Sequence, residues 1–126
     1  TRYHPVSWAR RCVLETGAGQ GIIAIQCREN DQEIINILEK INDDQSRIIA
    51  NAERKVLKIL EGDCDTAVGV YAKIDKDLVN IKAELFSVDG KQRFFVEESE
   101  NKTMVKDLSI KIGEKLKSES KGSYKR

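Results

Sequence analysis

AVGVYAKI at 67–74, LVNIKAELFSV at 78–88 and KQRFFVEES at 91–99 are the three stretches that decide the fold. Val68, Val70, Ala72 and Ile74 recur at every second position of the first, and Val79, Ile81, Ala83 and Leu85 do the same in the second. Alternation of this kind gives a strand one apolar face. The short links at 75–77 and at Asp89-Gly90 join the three as an antiparallel meander. An apolar sheet face needs a covering layer, and the flanking sequence offers helices for it.

Asn30 or Asp31 can cap a helix over DQEIINILEKIN, in which Ile34, Ile35, Leu38 and Ile41 fall on one side. Asn42 or Asp43 starts a longer helix, DQSRIIANAERKVLKILEG, with Ile48, Ile49, Ala52, Val56, Ile59 and Leu60 at the same period and Gly62 placed for a left-handed cap. A last helix is expected over 102–116 with Val105, Leu108, Ile112 and Leu116 inward, before a basic tail at 119–126 that reads as a solvated end. The fold class is therefore α+β: a three-stranded antiparallel sheet with helices packed on one face.

Upstream the pattern weakens. Residues 1–16 lack a sustained period and hold the sole proline, tryptophan and histidine, so disorder is expected there. GAGQG at 17–21 then forms a tight turn into a short β-branched run, read as a strand over 21–28 whose nearly continuous apolar residues imply burial on both faces.

At 126 residues, with 40% apolar and 34% charged side chains, the chain fits one domain. Its longest apolar run falls far short of the roughly 20 residues a membrane span needs. A net charge of +1 supplies no field for nucleic acid or an acidic bilayer. Three cysteines without paired spacing argue for a reducing, cytoplasmic setting over a disulfide framework. Because the chain opens at Thr1 and its sole methionine is Met104, a processed chain or a fragment is expected.

The glycines of GAGQG precede a strand, whereas a dinucleotide fingerprint follows one and opens a helix, so the phosphate reading fails on context. His4 would have to serve any histidine-dependent relay alone, and Cys12, Cys27, Cys64 and His4 lack the close pairs of a zinc site, so no metal is expected. Cys27 reads as a buried small hydrophobe.

Cys64 differs, because it follows a helix end in EGDCDT, a loop with no evident packing duty. The helix dipole and the flanking Asp63 and Asp65 disfavour its thiolate. That excludes a recycling nucleophile but allows a thiol alkylated once as a tether. The element order also occurs in double-stranded-RNA-binding modules, yet their last helix opens with a basic cluster and NKTMVKD is nearly neutral.

GQGIIAIQCREND at 19–31 and NAERKVLKILEGDCDTAVGVYA at 51–72 resemble porphobilinogen deaminase, also called hydroxymethylbilane synthase. Spacing, the intervening helix pair and the DG hairpin match as well, so the resemblance covers about 19–116. That family builds a linear tetrapyrrole from four porphobilinogen units with loss of ammonia. The resemblance implies that Cys64 holds a dipyrromethane cofactor through a thioether, and that Gln20 contacts cofactor or substrate. It further implies a three-stranded third domain covered by helices, with 31–118 as that domain and 19–30 as a strand crossing back toward a first domain. Residues 1–18 match nothing.

The family's catalytic aspartate and carboxylate-binding cations lie upstream of the stretch present here. The expectation is a catalytically silent fragment without attached cofactor, whose partners are porphobilinogen and the missing upstream domains, and whose orphan strand at 21–27 can pair with a second copy. Asp63 and Ala67 stand where glycine and proline are common, which predicts a looser loop around Cys64. A small RNA-binding or protein-interaction module is the rival reading.

Overall fold

The computed structural model describes residues 17–61 and 66–125. The expectations for 1–16, and for His4, Cys12, Gly62 and Cys64, therefore lie outside the described residues.

Asp31 accepts the N–H of Ile34 and opens α1 (Gln32–Glu39). Asp43 accepts the N–H of Ser46 and opens α2 (Asp44–Leu60). These carboxylates satisfy N-terminal donors that have no partner within the helix. After α2 come β1 (Val68–Asp75), β2 (Leu78–Phe86) and β3 (Arg93–Asn101), then a 3-10 turn (Lys102–Met104) and α3 (Val105–Ser120). The sheet is antiparallel in the order β1-β2-β3, with Val70 opposite Ala83, Ala72 opposite Ile81 and Ala83 opposite Val96. This is the α+β meander that the alternation predicts.

The predicted faces are the observed ones. Val70, Ala72, Val79, Ile81, Ala83, Leu85 and Val96 are buried beneath Val56 and Leu60 of α2 and Leu108, Ile112 and Leu116 of α3. Each fully buried aliphatic side chain contributes roughly 1.5–3 kcal/mol. α3 crosses α2 closely at Gly113, where an added Cβ would stand 2.9 Å from Ile59 Cβ. Absence of a side chain at Gly113 is thus what lets the two covering helices touch.

Four expectations are corrected. First, residues 22–28 form no strand, and Ile23 and Ile25 are 90% and 59% exposed. A strand buried on both faces needs a layer on either side and a neighbour to pair with; the described residues supply neither. Cys27 is half-buried, for the same reason. Secondly, two helices cover the sheet, while α1 buries none of its residues.

Thirdly, a left-handed backbone that the sequence reserves for glycine is taken already by Glu61, at φ 51°, at the end of α2, Gly62 itself lying outside the described residues. Fourthly, the last helix starts and ends later than 102–116, because Asn101 caps the 3-10 turn first, and the tail is docked. Lys121 at φ 47° and Gly122 at φ 79° reverse the chain after Ser120 and bring Tyr124 into the core at 3% exposure. Among the described residues no helix is long and apolar enough to cross a membrane, and no group of three or more His, Cys, Asp and Glu side chains could hold a metal ion.

Candidate functional site

Two features of the described residues bear on the candidate site: the end of α2, which precedes residues 62–65 in the chain, and the glycine turn at 17–21. α2 ends in carbonyls that have no intrahelical donor, as every helix does. Here the C-terminal segment supplies donors. Tyr124 Oη donates to the Leu60 carbonyl at 2.8 Å in a buried bond, and Lys117 Nζ donates to the Ile59 carbonyl at 3.2 Å. Glu61 donates its own N–H to Leu57 O at 3.1 Å, and its carboxylate pairs with Lys117 at 3.1 Å and Lys125 at 3.2 Å. Hydrogen bonds from Lys117, and next from Lys125, hold the Glu61 carboxyl below the usual carboxylate range.

The chain is fixed again beyond Cys64. Val68 donates to Thr66 O at 3.0 Å and Phe86 donates to Ala67 O at 3.0 Å, so the far side of the loop is built into the sheet. The Cys64 thiol itself lies outside the described residues; its two anchoring points do not.

In the glycine turn, Gln20 donates its N–H to Gly17 O at 2.9 Å and Ile22 donates to Gly19 O at 3.1 Å. Gly19 and Gly21 take φ 74° and 78°, which favours glycine. Gln20 is exposed. The turn is fastened to the sheet by a residue that sequence reasoning missed. Glu53 of α2 is 4% exposed, and its two carboxylate oxygens accept Gly19 N–H at 2.6 Å and Ala72 N–H at 2.9 Å.

Two backbone donors thereby serve a buried carboxylate that would be costly to leave unpartnered. The same contact occupies the outer edge of β1 at Ala72, where an added strand would have to pair. A signal for Glu53 existed: it sits between Ile49 and Val56 on the inward stripe of α2, where an acidic residue is out of pattern.

The described residues define the class of the protein as a small α+β domain, an open antiparallel meander covered on one face by two helices. The comparisons with known proteins give that class its family. The family model described as "Porphobilinogen deaminase, C-terminal domain" matches residues 48–118, which span most of α2, the loop, the sheet and most of α3. The chain belongs to the porphobilinogen deaminase family, as a C-terminal domain.

Curated proteins agree. The porphobilinogen deaminase of Staphylococcus aureus is 33% identical over 119 residues, 94% of this chain and 37% of that protein. That of Prochlorococcus marinus is 35% identical over 99 residues, covering 79% and 31%, and that of Exiguobacterium sibiricum is 47% identical over 75 residues, covering 59% and 24%. The chain thus spans between 24% and 37% of the length of these relatives.

Proposed function

We propose that this chain is the cofactor-carrying domain of an enzyme that joins four porphobilinogen units into hydroxymethylbilane with release of ammonia, with Cys64 as the thioether attachment residue for dipyrromethane. The observation that carries the reading is the match over 48–118, a range that includes the helix end, EGDCDT and the first strand. A thiol is the chemistry required for attachment, since sulfur bonded to carbon is a stable mooring once formed. When bound, the dipyrromethane supplies the pyrrole carbon from which the chain grows.

The rest of the donor set fits attachment alone. The acetate and propionate groups of pyrroles need cations, and the two lysines at the base of the loop, Lys117 and Lys125, are already paired with Glu61. Carboxylate binding and protonation of the amino leaving group therefore fall to upstream domains, and the isolated chain releases no ammonia from porphobilinogen. Gln20, exposed at the glycine turn, is proposed as a cofactor or substrate contact. Ile23, Ile25 and the bare face of α1 are covered by those upstream domains in the whole enzyme; in the isolated chain they are the surface through which two copies associate, which sedimentation at rising concentration reports.

A cytoplasmic setting is part of the proposal, supported by three cysteines without paired spacing. No observation favours RNA binding: Lys102, at the start of the last helical segment, is paired with Asp77.

The test is a chimera that joins this chain to the upstream domains of a relative. Its intact mass should exceed the sequence mass by one dipyrromethane, and Cys64→Ser should remove both the excess mass and the activity. Retention of the extra mass or of turnover by the Cys64→Ser chimera would falsify the assignment. The isolated chain should show the unmodified mass.

A further inference from the structure

We propose that the cleft between the middle of α2 and the start of α3 is a binding site for a small amphiphilic carboxylate, an acid group carried on an apolar body. The site is built from described residues alone and does not depend on the attachment reading of Cys64.

Its shape comes from the helix pair. α2 and α3 meet closely at Gly113, where no side chain holds Ile59 away. Near the start of α3 the same two helices leave an open cleft of about 340 Å³. That is room for a small molecule, at the lower end of the range that such sites occupy. Ile48 and Ala52 of α2 and Val105 of α3 give the cleft aliphatic surface. An apolar body seated there is removed from water, which favours binding.

Charge then selects the ligand. Lys55 and Asn51 on the α2 side and Lys106 on the α3 side line the same cleft. On α3 itself, Lys111, Lys115 and Lys117 are each paired with a glutamate. By contrast, the side chains of Lys55, Lys106 and Asn51 have no ion pair or hydrogen bond among the described residues. The hydroxyl of Ser109, which also lines the cleft, is already spent on the Val105 carbonyl at 2.8 Å. No acidic side chain among the described residues lines the cleft. Two ammonium groups on facing helices and one amide are therefore uncommitted beside an apolar surface, and a carboxylate is the group that satisfies them.

The same charge argues against other occupants. Residues 1–16 carry three arginines against one glutamate, so that segment is repelled by the two lysines. A two-fold pairing of copies through the cleft would set its lysines against their own equivalents. An acidic peptide answers the charge but brings no apolar body for Ile48, Ala52 and Val105.

The test is a titration of the ¹⁵N-labelled chain with 3-phenylpropionate at neutral pH and low salt, read by amide chemical shifts. The shifts should saturate and centre on Ala52, Val105 and Lys106. The alcohol 3-phenylpropan-1-ol keeps the body and lacks the charge, and it should bind about five-fold more weakly. Lys55→Gln/Lys106→Gln should lose about the same factor toward the acid and nothing toward the alcohol. Should that variant fail to fold, the comparison of acid with alcohol on the unaltered chain decides alone. A tetraglutamate peptide should bind more weakly than the phenylpropionate.

Shifts that rise without saturating would overturn the site, as would shifts centred on Tyr71 and Phe95, the exposed aromatics of the uncovered sheet face. Equal affinity for acid and alcohol, an unchanged affinity in the double variant, or tighter binding of the peptide would each do the same. None of these readouts involves Cys64, so failure of the attachment reading appears in the mass of the chimera and failure of the cleft appears here.

Discussion

The strip from Gly17 to Ile41 and the body from Asp44 to Lys125 carry the same kind of sequence signal and have opposite fates. α1 and α2 both show apolar residues at helical spacing, both begin at an aspartate cap, and only α2 buries its stripe. Periodicity therefore identifies a face that requires covering; it does not say that the cover is in the same chain. The chain spans only about a third of the length of its relatives, and under the function proposed above the rest of such a protein is what would cover the strip.

The largest effect should come from contrasting the two stripes directly. Ile81→Ala, at a fully buried position in the core, should cost about 2–5 kcal/mol. Ile34→Ser on the α1 stripe, where the residue is 40% exposed, should change stability by less than about 0.5 kcal/mol. Urea unfolding of the isolated chain compares them. Equal losses would mean that α1 is packed after all, and would erase the distinction between the regions.

Glu53 bonds the strip to the body through Gly19, so it offers a finer break. Glu53→Gln keeps the shape but turns one oxygen into a donor, which must then face either Gly19 N–H or Ala72 N–H. The Ala72 bond is the more buried, so the remaining oxygen should stay there and Gly19 should be released, at a cost of about 1–3 kcal/mol. Amide exchange should accelerate at Gly19 with Ala72 still protected. Release of Ala72 with Gly19 retained would reverse the assignment of which contact matters.

Much of this was legible before any coordinates. Alternation in β1 and β2 names the buried face residue by residue, because a one-residue slip would turn Ile81 and Leu85 to solvent. EGDCDT stands out in the sequence as a candidate site because a cysteine between two aspartates has no evident packing use, and Cys64 itself lies outside the described residues. The docking of the tail is not legible: Tyr124 is one aromatic in a Ser/Lys/Gly run, and a residue without periodic companions shows neither a face nor a partner. Residues 22–28 mislead for a related reason. Their composition is that of a buried strand, but composition does not supply the neighbouring strand and covering layers that burial requires.

Acid titration separates the two regions by electrostatics. Among the described residues, the carboxyls with lowered pKa are Asp43, Glu61, Asp89 and Glu98, all at the start of the body or within it. Hydrogen bonds lead in each case: from Ser46 to Asp43, from Lys117 to Glu61, from Ser87 to Asp89 and from Lys111 to Glu98. A folded pKa below the unfolded one means the stabilisation is present above the ordinary carboxylate value and disappears as pH falls through the folded value.

Lys111, raised chiefly by its hydrogen bond to Glu98, works in the opposite sense: its share holds below the ordinary lysine value and is lost as pH rises through the raised one. The melting temperature of the body should therefore fall between about pH 5 and pH 3, while the helical signal of α1 gains nothing from these groups. Glu98→Gln should flatten that profile more than Glu61→Gln, because the Glu98 side chain is 21% exposed and that of Glu61 is 63% exposed. Water screens the Glu61 pairs more strongly, so their contribution is the smaller. A profile unchanged by Glu98→Gln would place the acid-sensitive contact elsewhere, at Asp43 or Asp89, and move the electrostatic boundary of the body to the helix cap or the hairpin.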